Sequence, residues 1–348
     1  FSFIQLLPQI LNFEKRLEKF HEATRQLKID GRQISFTVDR HNILYDSFNA
    51  LNHLSTEQWL SHFKVKFLYE DGIDCGGLTK EWFTLITEAI FNPNFGLFVL
   101  SANNTYQPQP LSDKINDNHI EYFRFAGKIV ARCLIQELCI NAHFTPSFRR
   151  QLLNHNIRLK DYEEIDKNIY SSMKTILEND VEPMYLTFTT IDDEFGDKKV
   201  VPLIEDGENI DVTNENKNEY VSLYINYHLR KSINSQISAF CEGFYSLIPL
   251  ENISYFSQSE LDFILCGHSQ IDIEDMKKHV VYSSPYHKDH DTITMFYEVI
   301  SNWSQEDLTK LILFVTGSSK IPINGFKGYE ETGNSFKITK KSDPKSLC

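Results

Sequence analysis

Residues 67–83, FLYEDGIDCGGLTKEWF, constrain the fold of this chain more than any other stretch. An apolar entry, Phe67-Leu68, runs into an acidic turn at Glu70, Asp71 and Gly72. Ile73-Asp74-Cys75 and the Gly76-Gly77 pair then lead into Leu78-Thr79-Lys80-Glu81-Trp82-Phe83. Adjacent glycines admit positive φ and close backbone approach, and residues 79–82 read as a helix entrance. The functional alternative is a phosphate-binding turn at a helix N-terminus. The G-x-x-x-x-G-K-[ST] and G-x-G-x-x-G spacings are both missing, and Asp71 and Asp74 would repel phosphate. The segment therefore reads as a structural turn.

A chain of 348 residues exceeds one small core and fits two or more domains, or one domain with subdomains. With 41% hydrophobic residues and 13% aromatics it can bury a large core, which argues against disorder. The net charge of −13 argues against a general nucleic-acid binder, which is more often basic, but not against a partner with a basic face. None of the cysteines, Cys75, Cys133, Cys139, Cys241, Cys266 and Cys348, forms a C-x-x-C pair. They read as thiols of a reduced, intracellular protein rather than a disulfide framework. No signal-peptide pattern is present, and no apolar run approaches the ~20 residues of a spanning helix. A cytoplasmic location is the expectation. Because the chain begins at Phe1 rather than Met, it is expected to be a piece of something longer.

Helical spacing of Ile4, Leu7, Ile10, Leu11, Leu17 and Phe20 predicts an amphipathic helix over 4–27, interrupted near Pro8. Alternation predicts strands at 34–38, 63–67 and 184–188. Helices are predicted at 41–51, capped by Asp39, at 79–91, ended by Asn92-Pro93-Asn94, and at 119–139 and 145–153. Further helices are predicted at 161–179 and, as one long rod, at 214–246. Polar, acidic sequence fills 189–218, and its run from Asp192 to Asp211 reads as a solvated loop face. Helices follow at 257–265, 292–303 and 305–315, with YSSPYHKDHD at 282–291 as the linker between the last two and the rest.

His287-x-x-His290 with Asp289 and Asp291 could be read as a metal cluster, but no Cys or further His sits at zinc-finger spacing, so a charged hinge is preferred. The acid-rich run from Asp192 to Asp211 lacks calcium-loop spacing. No G-x-S-x-G elbow occurs. Cys133 and Cys139 lie among Ile, Val and Leu and read as inert packing residues. Neither a metal nor a cofactor is expected.

These stretches together resemble the HECT-type ubiquitin ligases, particularly the Nedd4-like group. The resemblance rests on FLYEDGIDCGGLTKEWF, IFNPNFGLF at 90–98, YFRFAGKI at 122–129, ILEND at 176–180 and VTNENKNEYV at 212–221. AFCEGFYSLIP at 239–249, ELDFILCG at 260–267 and FVTGSSKIPINGF at 314–326 complete the family order. It implies an α+β, bilobal fold: a short N-terminal extension at 1–13, a mainly helical N-lobe at 14–286, a hinge at 287–291 and a partial α/β C-lobe at 292–348. A small subdomain at 166–228, inserted in the N-lobe, would bind the ubiquitin-conjugating enzyme. The implied partners are that enzyme, ubiquitin and a protein substrate.

The resemblance assigns the conjugating-enzyme groove to Ile169, Met173, Ile176, Met184, Leu186 and Tyr220. Spacing alone favours a plain subdomain core for the same residues. Tyr106 falls where Nedd4-like members carry a tyrosine of a non-covalent ubiquitin site, although Gln107-Pro108-Gln109-Pro110 departs from their pattern. The family nucleophile lies in Leu-Pro-x-x-His-Thr-Cys-Phe, of which Leu347 matches the Leu and Cys348 the Pro. Either Cys348 is the nucleophile after a shortened loop or the nucleophile lies beyond it. The second is favoured. Two functions follow: a thioester-forming ubiquitin transferase, or a non-catalytic module that only binds the conjugating enzyme.

Overall fold

The computed structural model describes residues 11–28, 33–72, 74, 76–194, 196–267, 271–316, 321–322, 325–331 and 335–340. Helices and short strands mix in an α+β arrangement, and each sheet among these residues has two strands. Among the described residues, buried apolar side chains form three clusters. The first runs from Leu17 to Leu153 and resumes from Ile233 to Cys266. The second holds residues between Ile271 and Phe336. The third lies between Tyr162 and Leu229. The chain thus leaves the first core after Leu153, builds a separate small one, and returns at Ile233.

In the first core, strand Gln33–Val38 pairs in parallel with His62–Phe67, and the crossover between them carries the helices Ile43–Leu51 and Thr56–Leu60. The turn that follows shows why its residues are needed. The Asp74 carboxylate accepts from Val65 N at 2.9 Å, Gly76 N at 2.7 Å and Thr79 Oγ1 at 2.5 Å. Gly76 adopts φ 101°, a region that L side chains rarely enter. Helix Gly77–Phe91 starts there and delivers Trp82, whose Nε1 donates to Ser47 Oγ at 2.8 Å inside the core.

The centre of this core is the crossing of helices His119–Ile135 and Asn234–Tyr245. A Cβ on Gly127 would lie 2.0 Å from the Phe240 carbonyl oxygen, and one on Gly243 would lie 1.9 Å from that of Arg124. Backbone therefore touches backbone. Helix 119–135 is buried on nearly every face, which explains a sequence too apolar for a surface helix.

Residues 214–246 do not form one rod. Helix Lys217–Leu229 stops, a 3-10 turn at Lys231–Ile233 intervenes, and Asn234–Tyr245 begins. No Gly or Pro marks the break. Leu229 belongs to the small core and Ile233 to the large one, so the chain must redirect between them. The acidic stretch also differs from expectation: it contains an antiparallel hairpin, Thr189–Glu194 with Asp197–Pro202. Opposite charges face each other across it, Asp192 with Lys199 and Asp193 with Lys198.

Towards the C-terminus, helices Ile273–His279, Asp291–Ser301 and Gln305–Thr316 enclose the second core. Strand Val281–Tyr282 pairs in parallel with Lys337–Ile338. Packing thus groups residues 271–282 with the C-terminal segment rather than with the residues before them.

Candidate functional site

The small core is built around the helix Lys167–Glu178, capped by the Asp166 side chain, which accepts from Asn168 N and Ile169 N at 2.8 and 3.1 Å. Its apolar stripe faces inward. Met173 and Ile176 are buried against the same cluster as Val181, Phe188 and Tyr220, while Ile169 is half-buried. Tyr220 stacks edge-on to Phe188 at 5.6 Å and donates to Thr189 O at 3.4 Å. Burial pushes its hydroxyl pKa up to about 12. Met173, Ile176 and Tyr220 therefore fill the subdomain core.

What reaches solvent is the loop after the helix. Residues 184–188 do not form the expected strand. Glu182–Met184 make a 3-10 turn, Tyr185 takes a left-handed conformation (φ 50°, ψ 43°), and the strand starts at Thr189. Asn214 and Lys217 hold this loop. Asn214 Nδ2 donates to Asp180 Oδ1 at 2.7 Å, Val181 N donates to Asn214 Oδ1 at 3.2 Å, and Lys217 Nζ donates to Asn179 O at 2.7 Å. The Asn214 hydrogen bond, joined by that from Glu182 N, holds the Asp180 carboxyl below the usual carboxylate range. Val181 is fully buried and anchors the loop from below. Met184 is then 38% exposed and Tyr185 90% exposed, with Leu186 half-buried beside them. The stretches ILEND and VTNENKNEYV, separate in sequence, meet here through Asp180–Asn214 and Asn179–Lys217.

The model of the HECT-domain (ubiquitin-transferase) family matches residues 84–347. The chain belongs to the HECT-domain family. It is 36% identical over 326 residues to the E3 ubiquitin-protein ligase Nedd-4 of Drosophila melanogaster, covering 93% of this chain and 32% of that protein. It is 34% identical over 351 residues to the E3 ubiquitin-protein ligase RSP5 of Emericella nidulans, covering 99% and 42%. With the E3 ubiquitin-protein ligase TOM1-like of Neurospora crassa it shares 36% over 338 residues, covering 95% and 8%. The chain spans less than half the length of these relatives.

Elsewhere in this HECT chain, Tyr106 opens the short strand Tyr106–Pro108, half-buried, with its ring 5.6 Å from Phe91 and its N–H donating to His143 O at 2.7 Å. Cys75 and Cys348 lie outside the described residues. Burial pushes the thiol of Cys133 up, and that of Cys241 up to about 12. Neither is an activated nucleophile. In the linker, the His290 ring caps a helix, accepting from Thr292 N at 3.1 Å. His143, Asp262 and Cys266 bring potential ligand atoms within 4.8 Å of one another. Arg149 sits 2.6 Å from the Asp262 carboxylate. Burial pushes that carboxyl up, but the His143 hydrogen bond and the Arg149 charge outweigh it and hold it below the usual range. Arg149 on helix Pro146–Leu152 and Asp262 on helix Gln258–Cys266 thus form an ion pair that clasps the two helices. No described helix is long and apolar enough to cross a membrane.

One titration bears on the small core of this HECT domain. His228 shares a 2.6 Å hydrogen bond with Thr190 Oγ1 at the hairpin, and burial lowers its pKa, against a smaller opposing effect of Asp192. Above the ordinary histidine value of about 6.5 the ring is neutral in both folded and unfolded chains. Below it the unfolded chain takes a proton that the folded one resists, so stability is lost as pH falls. Amide exchange across residues 189–202 should therefore accelerate on acidification beyond its intrinsic pH trend, and less so in His228→Gln. Equal protection above and below about pH 6.5, once corrected for the intrinsic trend, would refute it.

Proposed function

We propose that this chain accepts ubiquitin from a ubiquitin-conjugating enzyme as a cysteine thioester and passes it to a substrate lysine. The observation that carries the reading is the family match, together with an apolar loop held out to solvent by Asn214 and Lys217. In the transfer, a thiolate attacks the thioester carbonyl, the new carbon–sulfur bond forms, and the conjugating enzyme leaves as its thiolate. The exchange is nearly isoenergetic and keeps the product reactive, which a serine ester would not. The substrate amine then displaces the ligase thiolate. In the family pattern the nucleophile follows a few residues after the position that Cys348 occupies; a shortened loop would make it Cys348 itself.

The groove comprises Ile169, Met173, Ile176, Met184, Leu186 and Tyr220. Contact goes through Met184, Leu186 and Ile169, and the three buried members support them from beneath. The corresponding plan is an N-lobe over 14–286 carrying the subdomain at 166–228, a hinge at 287–291 and a C-lobe from 292. The three buried clusters support two lobes and an inserted subdomain, but residues 271–282 and Tyr286 pack in one cluster with Ile293 to Phe336, so the pivot belongs ahead of Ile271 rather than at 287–291. Swinging about that pivot would carry the thioester from the conjugating enzyme to the lysine. Tyr106 would serve a second, non-covalent ubiquitin contact.

The test is to incubate charged conjugating enzyme with the chain extended through the family's His-Thr-Cys-Phe. A reductant-sensitive ubiquitin adduct is expected, and Met184→Asp should lower its rate at least tenfold. Binding without an adduct on the extended chain would leave a non-catalytic module. An adduct on residues 1–348 that disappears in Cys348→Ser would make Cys348 the nucleophile. Because Met173 and Tyr220 are buried, Asp at either would unfold the subdomain and could not report on binding alone.

A further inference from the structure

We infer that Tyr185 is an anchor residue that sets this chain's choice of conjugating enzyme, inserting its ring into an apolar recess rimmed by basic side chains on that partner. The inference rests on the reading of this face as the conjugating-enzyme surface.

Tyr185 combines two costly features. The residue is 90% exposed, so a large apolar surface faces water. Its backbone is left-handed (φ 50°, ψ 43°), a conformation that glycine, asparagine or aspartate adopts more readily than tyrosine. Strain of this kind persists only where the surroundings over-determine it. Here they do: the loop is held by Asn214, Lys217 and buried Val181, and Tyr185 N donates back to Glu182 O at 3.3 Å. Neither feature helps the isolated fold.

Both features suit an interface. Tyrosine supplies large, rigid contact area with two torsions to freeze, and is enriched among the residues that dominate binding energy. A loop fixed beforehand loses little freedom on binding. Met184 beside it is 38% exposed, so the ring continues the apolar surface of the groove. Glu178, Asp180 and Glu182 are exposed around that surface. Their charge favours a partner whose recess is bordered by Lys or Arg, chiefly through the association rate.

The experiment measures the dissociation constant of recombinant conjugating enzymes against the chain and against Tyr185→Ala, Tyr185→Phe, Tyr185→Gly and Met184→Asp, with thermal melting of each variant. Tyr185→Ala should weaken the best binder at least tenfold and flatten the ranking of the panel. Tyr185→Phe should stay within threefold. Tyr185→Gly should weaken binding equally while raising the melting temperature, because the strain goes with the side chain. That opposition between binding and stability is what a merely structural tyrosine would not produce. If Met184→Asp abolishes binding but Tyr185→Ala does not weaken it, the anchor role is overturned and the groove stands. If neither variant changes binding, or the intact chain binds no enzyme of the panel, the groove reading falls and the anchor role with it.

Discussion

Gly127→Ala should unfold the large helical core, or cost about 3–5 kcal/mol where the chain still folds, the upper end of what overpacking and backbone displacement do. The added methyl would sit 2.0 Å from the Phe240 carbonyl oxygen and 2.8 Å from Phe244 N. Both are backbone atoms of a helix packed on other sides, so no rotamer change can make room. Relief requires the helices 119–135 and 234–245 to separate, which would loosen the packing of buried neighbours such as Phe123, Ile129 and Phe240. The loss is large against the ~5–15 kcal/mol net stability of a typical domain. Gly243→Ala should act alike, because its methyl would meet Arg124 O at 1.9 Å. Urea unfolding followed by helix content measures both. A midpoint unchanged from the parent chain would mean that the crossing is looser than described.

The second large effect is expected at the turn. Asp74→Ala removes an acceptor that serves Val65 N, Gly76 N and the Thr79 hydroxyl and N–H. A loss of about 2–4 kcal/mol follows from several hydrogen bonds to a charged group, with donors left short of partners. Burial pushes the Asp74 carboxyl up, but these hydrogen bonds outweigh it and hold it below the usual range. Its contribution is therefore present above the ordinary aspartate value of about 3.9 and is lost as pH falls through the lower folded value. Melting of the parent and Asp74→Ala chains should converge at low pH. A gap that stays constant from pH 7 to pH 3 would show that the carboxylate charge contributes nothing.

Much of this arrangement was legible before any coordinates. Strand 33–38, strand 62–67 and the helix from Gly77 to Phe91 follow alternation, helical spacing and the glycine pair. These elements pack within one core, so local pattern and tertiary demand agree. The failures lie where they part. The rod over 214–246 broke because its two ends answer to different cores, and periodicity carries no record of which core a residue joins. The acidic stretch hid a hairpin because the lysines that offset its aspartates sit on the opposite strand.

The candidate site divides the same way. By itself the sequence determined the family, through segments whose types and order need no coordinates to read. It also placed Ile169, Met173, Ile176, Met184, Leu186 and Tyr220 in one region. Only the tertiary structure decided which of these are buried and which meet solvent, and that Tyr185, absent from that set, is more exposed than Met184 beside it. Exposure at a position depends on what distant chain covers it. Here that chain is the stretch carrying Asn214, Lys217 and Tyr220, which buries one face of residues 173–188 and fixes the other outward.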